Sequence, residues 1–167
     1  NMSLGGPVLA QDSPDPQEAR SVMTRFMAAR GAHNRADHAE MLRLGREVSP
    51  SLIPGSDPWI ELRCYMAEAL WKFWEPAELE AVARDVVQRV AERRRAEGAV
   101  ESSAVGPLSP FAAHYAITVQ ILLARIHAAR GEHAQALDLL RAALADAESG
   151  RPLFAAEDLV PMARLDA

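Results

Sequence analysis

The sequence predicts an all-α protein built from three antiparallel helical hairpins and a C-terminal capping helix. Three observations lead there. Three segments open with a capping residue followed by proline: Asp15-Pro16, Asp57-Pro58 and Ser109-Pro110. Proline suits the first helical position because its missing N–H would be an orphan there anyway, and the preceding Asp or Ser accepts hydrogen bonds from free first-turn amides. After each start, apolar residues recur at three- and four-residue intervals and never alternate over a strand length. Finally, Gly31 and Gly131 stand where the first and third of these segments should end, as suits residues that reach positive φ just past a helix.

The first helix is expected from Pro16 to about Arg30, with Val22, Met23, Phe26 and Met27 inward and Glu18 in capping-box spacing from Asp15. Its companion runs from about Ala36 to Val48, and the proline-rich SPSLIPGSDP closes it. The second hairpin starts with Pro58 to about Trp74, whose apolar residues are Ile60, Leu62, Tyr65, Met66, Ala69, Leu70 and Phe73. Its companion opens at Glu75-Pro76 and carries a stripe of Leu79, Val82, Val86, Val87 and Val90. Arg93, Arg94 and Arg95 fall in its last turns, where cations favour the negative end of the helix dipole. The third pair is Pro110 to about Arg130, with Phe111, Tyr115, Val119, Leu122, Leu123 and Ile126, then HAQALDLLRAALADAES. That last stretch places Ala136, Leu139, Leu140, Ala143 and Leu144 on one face. A segment around Phe154 to Leu165, kinked or split by Pro161, is expected to cap the array. Residues 98–109, rich in small residues with Gly and Pro, read as an exposed loop.

Composition narrows the function. A chain of 167 residues fits a single domain, here expected over residues 15–167 behind a disordered or expression-derived tail at 1–14. One cysteine, Cys64, permits no internal disulfide framework and fits a reducing compartment; inside LRCYMAEAL it reads as a buried thiol. The net charge of −5 argues against wholesale nucleic-acid binding. No apolar run reaches the roughly 18 residues a bilayer span needs, and VLAQ near the start lacks the basic flank of a secretory signal. A cytoplasmic protein with no membrane partner is expected. Lys72 is the only lysine among many arginines, the mark of a GC-rich bacterial genome.

The stretch LLARIHAARGEHAQALDLLRAALADAESG resembles a tetratricopeptide repeat and is similar to the helical-repeat segments of large bacterial LuxR-type regulators. With Gly131 as the inter-helix glycine, Leu123 takes the large apolar position of helix A. Ala136 and Ala143 take the small positions of helix B, and Leu140 stands where an aromatic is usual. The pattern departs at Gln120, Ala124, His127 and Glu148. It fits the first hairpin partially, through Gly31 and Ala36, and the second weakly, with Trp74 where the glycine would be. The resemblance implies a stack of hairpins that share one core and a scaffold for binding protein or effector. The DNA-binding and ATPase motifs of those regulators are missing.

Little chemistry is foreshadowed. His33 and His38 are five apart rather than at the three- or four-residue spacing of zinc ligands on a helix face, and no phosphate loop or nucleophile elbow occurs. The expectation is no enzyme, no metal and no cofactor. The doubled AARG·H, at 28–33 and 128–133, places His33 and His133 just past a turn glycine in two hairpins. Aligning those glycines sets Arg25 against Arg125 on helix A, a position that in the resembled family often faces the ligand groove. There the two could hold a carboxylate or acidic peptide, or else pair with a nearby glutamate such as Glu68. Trp71 and Trp74 share a face in LWKFWEP, either packed between hairpins or exposed as an anchor. The expected function is a non-catalytic scaffold for another protein or peptide, with Arg25, Arg125, Trp71 and Trp74 as binding residues. The alternatives are an all-α ligand-sensing domain and a homo-oligomerisation domain.

Overall fold

The computed structural model describes residues 15–97 and 106–149. Six α-helices run in order: α1 (Pro16–Asn34), α2 (His38–Val48), α3 (Asp57–Phe73), α4 (Pro76–Glu97), α5 (Pro110–Ala129) and α6 (His133–Ser149), with a short 3-10 turn at Ser49–Ser51. Among the described residues there is no strand, so the chain is all-α. Each helix packs on its successor, and α3 also packs on α5 and, over a smaller area, on α1. The expected tail at 1–14, the capping segment and most of the loop, 98–105, lie outside the described residues.

The proline starts hold. Asp15 and Ser109 cap α1 and α5 by accepting from the Gln17 and Ala112 amides. At the second start the cap moves one residue back. Ser56 accepts from the Trp59 amide, and Asp57 becomes the first residue of α3 with its carboxylate bound to Arg93. That arginine is a correction to the dipole reading. Its side chain is only 5% exposed, and it donates to the carbonyls of Gly55, Gly106 and Pro107 as well as to Asp57. It thereby ties α4 to the segments that lead into α3 and α5.

The joints between paired helices give the larger correction. Gly31 does not end α1, which continues to Asn34 with Ala32 fully buried. The chain turns instead at Ala36, whose φ is 57°. The amide of Asp37 donates to Ala32 O and that of Ala36 to His33 O. The same pair of bonds recurs after α3, from Glu75 to Leu70 O and from Trp74 to Trp71 O, and after α5, from Glu132 to His127 O and from Gly131 to Ala128 O. All three are Schellman motifs closed by a left-handed residue: Ala36, Trp74 and Gly131. Each is followed by an acid, Asp37, Glu75 or Glu132.

One apolar cluster joins α1 through α5, with Leu139 of α6 packed against it. Several residues expected inside stand outside: Met27, Phe73, Phe111, Leu140 and Leu144 are all exposed. They fall on helix sides that no described neighbour covers. Cys64 is buried, and desolvation pushes its thiol well above the ordinary range. The thiol is therefore expected to resist Ellman's reagent in the native chain and to react at once in denaturant; rapid native labelling would contradict this burial.

Candidate partner-binding site

At the end of α3 the sequence must stop a helix, turn and start α4 at Pro76 within three residues. The Schellman bonds achieve this only if Trp74 takes φ 55° and ψ 55°. For an L-residue with a bulky side chain that conformation costs about 1–2 kcal/mol. The matching joint after α5 uses glycine, which bears no such cost. Trp74 is nonetheless 55% exposed, beside an exposed Phe73. Its ring meets Trp71 edge to face, with centroids 5.3 Å apart. Trp71 is half-buried against the core and lies under the Arg125 guanidinium, 5.7 Å from its ring. Trp59, the third tryptophan, is buried in the core with Arg63 over its ring.

Three of the four expected binding residues thus meet: Trp71, Trp74 and Arg125 form one ledge across α3 and α5. Arg25 does not join them. It pairs with Glu47 of α2 at 2.9 Å. Measured from the joints, the counterpart of Arg125 is Arg30, six residues before Ala36, as Arg125 is six before Gly131. Glu68 occupies the same place before Trp74.

Arg30 belongs to a polar cluster among α1, α3 and α5 that the sequence reading missed. Its guanidinium holds both carboxylate oxygens of the buried Glu61, at 2.7 and 2.9 Å, and that hydrogen bonding raises its pKa. The Tyr65 hydroxyl donates to Glu61 at 2.7 Å and lies 3.2 Å from the Tyr115 hydroxyl. His33, expected at a surface turn, is instead on α1 and stacks on the Tyr65 ring at 3.8 Å. Glu61 and Tyr65 stand one turn apart on α3, but Arg30 and Tyr115 come from distant parts of the chain. Arg30 engages both Glu61 oxygens, and together with the Tyr65 and Tyr115 hydroxyls this cluster ties α1, α3 and α5 together.

Burial, reinforced by the hydrogen bonds to Tyr115 and Glu61, keeps the Tyr65 phenol protonated well above its ordinary range. The folded chain then retains a proton that the unfolded chain releases from about pH 10 upward, so this stability is present below that pH and is lost as pH rises. In a Tyr115→Phe variant, which leaves Tyr65 as the only tyrosine, phenolate absorbance should appear only together with loss of helical dichroism. Reversible ionisation near pH 10 in a folded chain would refute it.

On the side of α2, α4 and α6 lie two clefts. One, of about 540 Å³, is walled by Arg46 and Glu78 and floored by Met66 and Val82. The other, of about 510 Å³, has Leu123 and Leu139 at its base and Arg84, Gln88, Gln135 and Asp138 at its rim. His127 closes its end. Arg84, which can only donate, meets His127 Nε2 at 3.3 Å, so Nδ1 carries the ring proton toward Glu132. Arg84 and Arg130 both bind Glu80 and hold its carboxyl below the usual carboxylate range. Neither Trp71 nor Trp74 lines either cleft.

Comparison with protein-family models, curated proteins and solved structures finds no match. Among the described residues, no group of three or more His, Cys, Asp and Glu is placed to hold a metal ion, and no helix is long and apolar enough to cross a membrane.

Proposed function

We propose that this chain is a non-catalytic scaffold of the tetratricopeptide-like type that binds another protein or peptide at the Trp74 ledge, in a regulatory role in the bacterial cytoplasm. The observation that carries the proposal is Trp74 itself. A large aromatic is held half in water at a joint where glycine would relieve backbone strain, and its contact with Trp71 no more than offsets that strain. Rigid, exposed tryptophan beside arginine is the composition of interface hot spots. The repeat character is supported by the three matching joints and by the burial of Leu123, Ala136 and Ala143, three of the residues that carry the resemblance, whereas the fourth, Leu140, is exposed.

The test is to pan a displayed peptide library over the whole chain and over a Trp74→Gly variant. Peptides enriched on the former and lost on the latter are expected. Equal enrichment on both would reject the ledge. Trp74-dependent dimerisation in light scattering, without peptide enrichment, would assign the ledge to homo-oligomerisation.

A further inference from the structure

Leu137, Leu140 and Leu144 form an apolar stripe along α6, at 50%, 43% and 58% exposure. The joints reveal what this stripe corresponds to elsewhere. Nine residues past each joint stand Gly45, Ala83 and Leu140; six past stand Leu42, Glu80 and Leu137; thirteen past stand Ser49, Val87 and Leu144. In α2 and α4 this register faces the next hairpin. A Cβ on Gly45 would come within 2.6 Å of Met66 on α3. Ala83 is fully buried, Val87 packs on the core, and Glu80 reaches Arg130 beyond α5. In α6 all three register positions are exposed leucines. At the middle position of the register, Gly45 of α2 and Ala83 of α4 give way to Leu140 in α6.

We propose that the stripe is the seat of the chain's own residues 153–165, LFAAEDLVPMARL. The segment follows α6 directly through Gly150-Arg151-Pro152 and supplies Leu153, Phe154, Leu159, Val160, Met162 and Leu165. So short a tether keeps it at a local concentration that a free partner rarely reaches. The segment would stand to α6 as α5 stands to α4, burying leucines that match no contact within the described array. This inference is independent of the Trp74 ledge and reserves α6 for the chain itself.

Hydrogen exchange on the full chain tests it, compared with a Leu140→Gln/Leu144→Gln variant. Both leucines are exposed, so the remaining helices should keep their dichroism. The expected result is amide exchange across 153–160 at least about tenfold slower than in an unstructured peptide, lost in the variant, with both proteins monomeric. Unprotected amides in the parent chain, or protection that survives in the variant, would overturn the proposal. So would a dimer that dissociates in the variant, which would seat a second copy on the stripe.

Discussion

Replacing Arg93 by alanine is expected to destabilise the fold by about 1–3 kcal/mol, the cost of leaving hydrogen-bond partners of a buried donor unsatisfied, since Arg93 is buried but Asp57 is 39% exposed. The size follows from what is left behind. Three backbone carbonyls, of Gly55, Gly106 and Pro107, and the Asp57 carboxylate all lose the same donor. The Gly55 carbonyl loses its donor away from water, while Asp57, Gly106 and Pro107 are open enough for water to replace part of the loss. Because the carbonyls belong to the segments that enter α3 and α5, the loss should also loosen the packing of α3 and α4 on α5. Arg93→Lys keeps the charge but cannot fork to several acceptors, so it should fall between the two. Urea unfolding followed by circular dichroism measures both, and a change below about 1 kcal/mol for alanine would show that water replaces the guanidinium.

Trp74→Gly should have the opposite profile. Glycine at φ 55° relieves the left-handed strain of about 1–2 kcal/mol, while loss of the edge-to-face contact with Trp71 forfeits about 0.5–1.5 kcal/mol. The two nearly cancel, so the unfolding midpoint should barely move. A core aromatic truncated to alanine would instead lose about 3–5 kcal/mol. Peptide affinity at the ledge should fall by about 2 kcal/mol or more, roughly thirtyfold, as for interface hot spots. Loss of binding without loss of stability separates an anchor from a packing residue. A large drop in stability would make the ring a packing residue of the fold instead.

Helix starts were legible because their chemistry is local. A Ser or Asp before proline satisfies first-turn amides whatever the rest of the chain does, and the expected beginnings of α1 and α5 stand to the residue. The joints were not, because two of the three left-handed positions carry Ala36 and Trp74, whose side chains announce no such conformation. Gly31 supplied a false signal. A glycine inside a helix costs only about 1 kcal/mol, and the buried neighbours Ala29 and Ala32 outweigh it. That error carried Arg25 into the candidate site and left out Arg30. The acid after each joint was the better marker. Arg93 and the Arg30–Glu61–Tyr65 cluster were beyond local reading, since their partners lie 31 or more residues away along the chain for every contact but the Tyr65–Glu61 turn and the Gly106 and Pro107 carbonyls.

The three joints close through the same backbone bonds, with alanine, tryptophan and glycine in turn at the left-handed position. Geometry and side-chain identity are therefore uncoupled at those three points. Each is an interchangeable socket at the rim of the molecule, where a residue can be swapped without renegotiating the interior. Recognition on such a frame could be rewritten one socket at a time, with the cost of each trial confined to a single residue's backbone preference.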